Sequence, residues 1–531
     1  MEPWPTRQLR QLLARLPSLR LRSLPDAPAP AVRDLWPGDG AAGARLLAGD
    51  LAMGGGAMQL RPGQPGCWTD ESASAMLRAH AHGFTWLRDL RTLGSDAARA
   101  TARALVADWI AHGQGSPIAS RPDVAGARIT AWLANWDFFA DSAADGFRRK
   151  LIIQLHSEAR ALAARLPAEE IDARALTGLK GLIAAGVALH GQAHHLVRAL
   201  RLLPQTIGGQ LHPDGSHVER SPAAHLQALR ELVDIRALLQ AAQATPPAAL
   251  TPAIERLAPA LRTLRHGDGG LALFNGSAEL TGPVIEQTLG LAGRAGRTPA
   301  SLADGGFHRL QSGRALLILD AGAPPPPGLD RFAHAGTLSF EFSVGHDRII
   351  VNCGAAPTAS SEWRDALRAT AAHSTLVIAD TSSSELKPRG LGRRPGKVQA
   401  QRQEANGAHW LETSHDGWER PFGAIHRRRL YLAESGEDLR GEDSIEAAAP
   451  QPFAIRFHLH PSVSASLQQD NATVLLRTAS GGWRLRADGP RLSLEESVYF
   501  GGGEPRRSEQ VVLTCRADEP QVVKWAITRV G

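Results

Sequence analysis

The chain has 531 residues, of which 43% are hydrophobic and 21% charged, and this composition excludes a disordered or fibrous protein. One hydrophobic core seldom serves more than about 250–300 residues, so two or three domains are expected. The net charge of +6 suits an anionic partner, but no basic run is interleaved with aromatic residues, which excludes nucleic acid as the expected partner. The three cysteines are far apart and indicate neither a disulfide framework nor a paired-cysteine metal site.

The N-terminal segment, MEPWPTRQLRQLLARLPSLRLRS, is basic and amphipathic, and residues 1–60 are predicted to form an irregular or weakly helical layer. The segment lacks the uninterrupted apolar core and the small-residue cleavage site of a signal peptide. The apolar stretches of the chain are too short to span a bilayer, so no membrane partner is expected. These features predict a cytoplasmic protein, and the alternative is export.

Residues 61–300 carry apolar side chains at three- and four-residue spacing, which predicts successive helices separated by short Gly/Pro breaks. The predicted helices are 97–112, 127–141, 145–166, 175–189, 193–203, 222–242 and 252–265. Sequential helices with short connections pack as antiparallel neighbours. A helical-repeat solenoid is disfavoured, because the sequence shows no repeat of fixed period.

Residues 301–531 change to a two-residue alternation, which predicts strands. In 337–344 the apolar residues Leu338, Phe340, Phe342 and Val344 face one way and the intervening polar residues face the other. Further predicted strands are 348–351, 374–378, 409–413, 426–432, 453–460, 472–477, 483–487, 492–499, 510–515 and 522–528. Many short strands indicate a sandwich or barrel, and helices followed by strands are the segregated α+β pattern.

Several short motifs occur in a characteristic order. They are HPDGSHVERSP (212–222), HGDGGLALFNG (266–276), RFAHAGTLSFEFSVGHDRIIVNCG (331–354), WRDALRATAAHSTLVIAD (363–380) and RFHLHP (456–461). In order and spacing, they resemble the heparinase II/III family of polysaccharide lyases. The resemblance implies an incomplete (α/α) toroid over 61–300, followed by an antiparallel β-sandwich over 301–531. It also implies an anionic polysaccharide or oligosaccharide as partner, and a periplasmic location as the alternative to a cytoplasmic one.

The activity implied by the resemblance is cleavage of uronic-acid-containing glycans by β-elimination, in a cleft between toroid and sandwich. The reaction needs a group that neutralises the carboxylate, a base and an acid. The family uses Asn or His for the first role, and Tyr with His for the others. Here an alanine stands at the family's Tyr position within 221–225, the Asn has no clear counterpart near 175–183, and Phe332 replaces a family histidine. Cleavage by β-elimination is the leading expectation, and these departures support the alternative, a catalytically altered glycan-binding protein that kept the lyase fold.

Four polar residues near the family's Tyr position are the predicted catalytic set. Arg220 is predicted to neutralise a uronate by a bidentate contact, and His217 or His225 to act as the base. Glu219 is predicted to orient one of these histidines. The alternative is a solvated polar loop with a structural Glu–Arg pair.

The resemblance maps the family's metal ligands onto His334, Asn352 and His373, which implies one structural zinc ion and no other cofactor. The alternative is that both histidines are hydrogen-bonded groups at strand starts. Six further residues are candidate substrate contacts, namely Trp132, Trp136, His266, Asp268, Arg456 and His458. Tryptophans stack on sugars but also fill helical cores. His266 and Asp268 suit a turn equally well, and Arg456 and His458 also suit the polar outer face of a strand.

Overall fold

The computed structural model divides by contact into two compact units. It describes residues 25–64, 66–167, 172–280, 282–293, 296–356, 358–469, 471–489, 491–502, 504–519 and 521–530. The first unit holds the described residues up to Gln210 together with Arg230–Ile254, and the second holds Leu211–Leu229 and the chain from Glu255 onward. The predicted boundaries at residues 60 and 300 stay predictions. The segments 211–229 and 255–300, which have helical spacing, are grouped by contact with the strands.

The first unit is mainly helical. Its helices are α1 (Gly40–Leu47), α2 (Ala75–Gly83), α3 (Leu87–Leu93), α4 (Asp96–His112), α5 (Pro122–Ala134), α6 (Trp136–Phe139), α7 (Asp145–Arg165), α8 (Arg174–Ala188) and α9 (Ala193–Gly208), with a hairpin of β1 (Asp50–Met53) and β2 (Gly56–Gln59). Two helices, α10 (Pro222–Ala241) and α11 (Leu250–Thr263), contribute residues to both units. The sequence predicts an irregular or weakly helical layer over residues 1–60, and its described part contains the helix α1 and the β1–β2 hairpin. Residues 1–24 lie outside the described residues.

Glycines allow α5 and α8 to pack closely. A Cβ atom on Gly126 would lie 2.4 Å from the Thr177 carbonyl oxygen, and one on Gly181 would lie 2.2 Å from the Gly126 Cα. Backbone atoms cannot move out of the way as a flexible side chain can, so the α5–α8 crossing requires glycine at these positions.

Helices α4 and α5 begin at residues that favour a helix N-terminus. Ser95 caps α4 by accepting the Ala98 N–H, and Pro122 occupies the first turn of α5.

The second unit is dominated by two antiparallel sheets. Its further helices are α12 (Gly282–Ala292), α13 (Ser361–Arg368) and α14 (Glu419–Phe422), and its strands are β3 (Ser301–Leu302), β4 (Phe307–Ser312), β5 (Ala315–Asp320), β6 (Phe340–Val344), β7 (Asp347–Val351), β8 (Leu376–Ile378), β9 (Val398–Ala405), β10 (Ala408–Trp418), β11 (Ala424–Leu432), β12 (Asp438–Ala447), β13 (Phe453–Leu459), β14 (Ser464–Leu467), β15 (Thr473–Thr478), β16 (Gly481–Asp488), β17 (Leu492–Tyr499), β18 (Arg506–Cys515) and β19 (Val522–Val530). One sheet has the order β14-β15-β16-β19-β12-β11-β10-β9. The other has the order β17-β18-β13-β7-β6-β5-β4-β3, with β8 paired to β13.

The two sheets face each other across an aromatic and aliphatic core. Phe340 on β6 stacks on Trp525 of β19 with ring centroids 5.7 Å apart, and Phe457 of β13 meets the same indole edge-on at 4.9 Å. Phe342 packs against Trp483 of β16 in the same way. These contacts join strands of different sheets, so the second unit is a sandwich. Within the described part of the chain, no helix is both long and apolar enough to cross a membrane.

Candidate functional site

The loop that carries the predicted catalytic residues is a fixed turn in the second unit. Leu211 and His217 pair as an antiparallel bridge at its base. The Asp214 carboxylate accepts three backbone N–H groups at 2.7–3.0 Å. Burial opposes its ionisation, but the hydrogen bonds outweigh burial and lower the pKa of Asp214. Gly215 has a φ of +84°, and a Cβ there would lie 2.5 Å from the Arg256 carbonyl oxygen, so the turn requires glycine.

Arg220 is held in a buried ion pair. Its Nη2 contacts Asp320 Oδ1, and both side chains are only 5% exposed. Its Nε donates to the Gly305 carbonyl oxygen at 2.7 Å, and the guanidinium lies 5.0 Å from the centroid of the Phe307 ring. The guanidinium is therefore satisfied inside the unit, and it does not offer the free fork that a uronate carboxylate would need.

The two predicted bases are buried as well. Burial lowers the pKa of His217 to about 3 and that of His225 to about 4, so both imidazoles are neutral near pH 7. His225 Nε2 donates to the Leu257 carbonyl oxygen at 2.8 Å. His217 Nδ1 accepts the Glu219 backbone N–H at 3.3 Å and lies 3.8 Å from the Glu219 carboxylate. Each histidine is 1% exposed, which leaves no surface for direct contact with a glycan.

Asn275 connects this loop to the histidines of the sandwich. Its Nδ2 donates to the Arg220 carbonyl oxygen at 3.1 Å and to Asp320 at 3.3 Å, and its Oδ1 accepts the His334 backbone N–H at 3.2 Å. The 212–225 loop and the strand ends near His334 and His373 therefore converge within the second unit. They converge through a buried polar network, since Asn275, Asp320 and His334 are all at most 5% exposed.

The predicted zinc ligands are only partly assembled. His334 Nδ1 and His373 Nε2 lie 3.3 Å apart, which suits a hydrogen bond and also the roughly 3.3–3.4 Å between two nitrogens on one tetrahedral zinc ion. Burial lowers the pKa of both imidazoles, to about 3 for His373, and a neutral imidazole is the form that binds metal. The Asn352 amide is engaged elsewhere, because its Oδ1 accepts the Ser374 N–H at 3.0 Å and its Nδ2 donates to Glu341. Among the residues described, no cluster of three His, Cys, Asp or Glu side chains could hold a metal ion.

His266 belongs to a buried network, and Asp268 lies on the exposed turn that follows it, where its Oδ1 accepts the Gly270 N–H at 2.8 Å. His266 bridges Glu341 Oε2 and Ser343 Oγ, each at 2.8 Å. Asp268 receives a two-pronged contact from Arg348, at 2.7 Å and 3.2 Å. His266 and Glu341 side chains have no exposed surface. The polar face of β6 is thus covered by protein groups, and these ionisable residues stabilise the unit by pairing.

Arg456 and His458 both lie on β13, and His458 lines a separate cavity in the second unit. His458 Nε2 donates to the Ala371 carbonyl oxygen at 2.9 Å, so its Nδ1 is the acceptor for the Ser497 hydroxyl at 2.8 Å. Arg456 Nη1 donates to Gln510 at 3.2 Å. The cavity measures about 400 Å³ and is lined by His458 but not by Arg456. The predicted polar face of β13 is therefore partly covered as well.

The two candidate tryptophans lie in the first unit and differ in setting. Trp132 is fully buried and packs edge-on against Phe84 at 5.2 Å and Trp109 at 5.4 Å, so its ring has no surface to offer a ligand. Trp136 is 6% exposed and lines a cavity of about 790 Å³. The functional roles of all these residues stay predictions.

Sequence reasoning missed three residues on which this network depends: Asn275, Asp320 and Glu341. The sequence did signal a turn at Asn275, because the dipeptide Asn275–Gly276 favours one. In the structure Asn275 has a φ of +44°. Asp320 ends an otherwise apolar strand, and Glu341 alternates normally in β6. Neither pattern reveals a buried partner.

Comparison with known proteins places the chain in context. Residues 294–526 match the family described as Heparinase II/III-like, C-terminal. FtsZ-localized protein C of Caulobacter vibrioides is 33% identical over 525 residues, covering 93% of this chain and 89% of that protein.

Solved structures show the same architecture. A crystal structure of heparinase III matches with a TM-score of 0.75 at 14% identity, covering 99% of this chain and 90% of that one. Heparan sulfate lyase HepC from Pedobacter heparinus matches with a TM-score of 0.61 at 15% identity, covering 99% and 87%. The predicted fold class, an incomplete (α/α) toroid followed by an antiparallel β-sandwich, is confirmed.

Proposed function

The chain belongs to the heparinase II/III family, and from this premise we propose that it is a catalytically altered member that binds a glycan without cleaving it. We also propose that it acts where FtsZ assembles. The observation that carries the proposal is the burial of the predicted catalytic set. Arg220 is paired with Asp320, and His225 is bonded to a backbone carbonyl oxygen. Groups in these positions stabilise the fold and do not contact a polymer.

The sequence departures support the same proposal. The chain contains two tyrosines, Tyr431 and Tyr499, and both lie in sandwich strands. Tyr499 is 1% exposed, and burial raises the pKa of its hydroxyl far above the ordinary value. A phenol that neither reaches solvent nor ionises readily is a poor proton donor or acceptor for an external glycan.

The FtsZ part of the proposal rests on the relative that matches nearly the whole chain. FtsZ-localized protein C is similar over 93% of this sequence, including the helical part that the C-terminal family match does not reach.

A localisation experiment tests this proposal. The chain, fused to a fluorescent protein, replaces FtsZ-localized protein C in Caulobacter vibrioides. We expect a band that coincides with FtsZ and disappears when FtsZ is depleted. Purified chain should also sediment with FtsZ polymers formed with GTP and not with unpolymerised FtsZ. Diffuse fluorescence together with no co-sedimentation would contradict the proposal.

A second candidate is lyase activity on uronate-containing glycans, which the fold match to heparinase III favours. Heparan sulfate, chondroitin sulfate and alginate are incubated with the chain, and the unsaturated uronate product is followed by near-ultraviolet absorbance. The first proposal predicts no product. If product forms, His217→Ala and His225→Ala should abolish it, whereas full turnover in both variants would remove them from the catalytic set.

We also propose, as the resemblance implies, a structural zinc ion held by His334, Asn352 and His373, for which Asn352 Oδ1 would have to give up its hydrogen bond with the Ser374 N–H. Elemental analysis of protein purified without chelator tests it. About one zinc per chain, lost in His373→Ala, would support the site, and metal-free protein would remove it.

A further inference from the structure

The eight-stranded sheet of the second unit has one face turned away from the sandwich core. Trp525 and Ile527 of β19 point into the core and are at most 3% exposed, so the alternate residues Ala526 and Thr528 point outward. Trp410 of β10 lies on the same outer face and is 38% exposed. None of the predicted catalytic or metal residues belongs to this sheet, so its outer face is a surface that the proposed sites leave unused.

One row of side chains on this face crosses five strands. The register of the strands places them in the order Trp410 (β10), Tyr431 (β11), Arg440 (β12), Ala526 (β19) and Arg486 (β16). The two aromatic rings lie 5.1 Å apart, and the Arg440 guanidinium lies 5.9 Å from the Tyr431 ring centroid. Neighbouring strands are about 4.8 Å apart, so the row is about 19 Å long and matches about six residues of extended chain.

The far end of the row carries arginines that have no ionic partner. Arg484 and Arg486 lie two residues apart on β16, and Arg477 lies on the adjacent strand β15. Arg477 and Arg486 are exposed, and none of the three forms an ion pair with a residue that the structure describes. Arg440, by contrast, pairs with Asp438 at 2.6 Å. Four arginines and one aspartate leave an excess of three positive charges, which attracts a negatively charged partner.

The two ends of the row therefore differ in chemistry. The end on β10 and β11 is aromatic, and the end on β15 and β16 is cationic. Between them the small side chains of Ala526 and Thr528 leave the row low, because the neighbouring Arg440 and Arg486 are longer. A ligand that fits this row has an apolar group at one end and carboxylates at the other, since the fork of an arginine matches a carboxylate.

The acidic residues of the same face distinguish between the anionic partners. Asp438 and Glu442 stand on either side of Arg440 on β12. A polymer with a negative charge on every unit would bring charge against these carboxylates, whereas a peptide can place neutral side chains there. Trp, Tyr and Arg are also the residue types that contribute most of the binding energy at protein–protein interfaces. These observations favour a protein segment over a nucleic acid, a sulfated glycan or a lipid surface.

We propose that the outer face of this sheet, from Trp410 to Arg486, binds an acidic segment of a partner protein. The segment is extended and spans about six residues. Its carboxylates pair with Arg484 and Arg486, and an apolar side chain at its other end packs on Trp410. The proposal is independent of the proposed function, because it involves no glycan and does not require the partner to be FtsZ.

Selection from a phage library of random short peptides on the immobilised full chain tests the proposal. We expect the selected peptides to be rich in Asp and Glu and to contain an aromatic or long aliphatic residue. A fluorescein-labelled peptide of the selected consensus is then titrated with the chain and followed by fluorescence polarisation. Its affinity should fall as salt is added, because the contacts lie at the surface.

Matched variants assign the binding to this face. Arg484→Ser combined with Arg486→Ser should raise Kd of the consensus peptide at least about tenfold. Arg507→Ser combined with Arg516→Ser removes the same charge from arginines of the second unit that are 82% and 76% exposed, and it should leave Kd within about twofold.

The aromatic end has its own pair of variants. Trp410→Ser should raise Kd of the consensus peptide about fivefold or more, because the apolar side chain of the peptide loses its contact. Trp363→Ser makes the same change on a tryptophan of α13 that is 43% exposed, and it should leave Kd within about twofold.

Several outcomes would overturn the proposal. They are a library that yields no binding peptide, selected peptides without acidic residues, and equal losses of affinity in the variants and their controls. Polyuridine RNA, heparan sulfate and vesicles of phosphatidylglycerol are titrated in parallel. Binding of any of these through Arg484 and Arg486, at an affinity above that of the consensus peptide, would replace the peptide with that class of partner and would also overturn the proposal.

Discussion

At the scale of single residues, several ionisable groups of the second unit are buried and contact one another instead of solvent. Arg220 pairs with Asp320, and His266 pairs with Glu341. Removing one partner of such a pair leaves the other charge buried without a counter-ion. This lowers the free energy of unfolding by far more than the intact pair adds to it. Substitutions in this network therefore report on stability before they report on any activity.

The Arg220–Asp320 pair gives the first test. Arg220→Met and Asp320→Asn should each lower the free energy of unfolding by about 3–5 kcal/mol. The double variant should lose less than the sum, because neither charge is then left alone. Urea unfolding followed by circular dichroism measures all three. Losses below about 1 kcal/mol would mean that the pair is open to water.

His225 gives a pH test. Burial lowers its pKa from 6.5 to about 4, so the unfolded chain binds a proton between these values and the folded chain does not. Stability should therefore fall as the pH drops from about 6.5 to 4. His225→Gln keeps an N–H donor but cannot titrate, and it should lose about 1–3 kcal/mol less over this window. Equal pH slopes for the wild type and the variant would contradict the burial of His225.

The sequence could not reveal which polar residues are buried. Alternation in β6 correctly placed Phe340 and Phe342 on one face. It also placed Glu341 on the opposite face, which in a two-layer sandwich is ordinarily solvated. His266 covers Glu341 from 75 residues away in the chain, and no local pattern carries that information.

At the scale of elements, the spacing of the apolar residues predicts whether a segment is a helix or a strand more accurately than it predicts where the element begins and ends. The helix predicted to stop at residue 203, before Pro204, continues to Gly208. In the second unit, strands β3, β4 and β5 were not predicted, and neither were β9, β12 and β14. Most side chains of β9 are exposed, so its sequence lacks the apolar alternation that predicts a strand. It is a strand because it pairs with β10, and that pairing depends on the tertiary structure.

The α5–α8 crossing gives a test with its own control. Gly126→Ala places a methyl group 2.4 Å from the Thr177 carbonyl oxygen and should cost about 1–3 kcal/mol. Gly146→Ala makes the same change in α7, where no atom lies within 4 Å, and should be neutral or stabilising by up to about 1 kcal/mol. Thermal unfolding compares the two. Equal effects would show that the helices are not in close contact.

At the scale of the whole molecule, the two units are not successive along the chain. The chain leaves the first unit at Gln210, returns at Arg230 and leaves again after Ile254. The change from helical to strand texture near residue 300 is visible in the sequence. The sequence does not show that 211–229 and 255–300 supply the partners of the sandwich, because that depends on side-chain pairing across long separations.

Truncation tests this arrangement. A fragment of residues 301–531 lacks Arg220, His266 and Asn275, so Asp320 loses its ion pair with Arg220 and its contact with Asn275, and Glu341 loses His266. We expect it to be insoluble or to unfold without a cooperative transition. A fragment of residues 255–531 regains His266 and Asn275 and should be measurably more stable. A cooperative, stable 301–531 fragment would show instead that the sandwich stands without these contacts.

Arg220 has a φ of +53°, a backbone conformation in which glycine is the ordinary choice. Substitution of glycine at this position would relax the main chain but leave the Asp320 carboxylate buried without its cation, so we expect the two positions to covary although 100 residues separate them. Among homologues, Arg at the first position should be inherited together with Asp at the second.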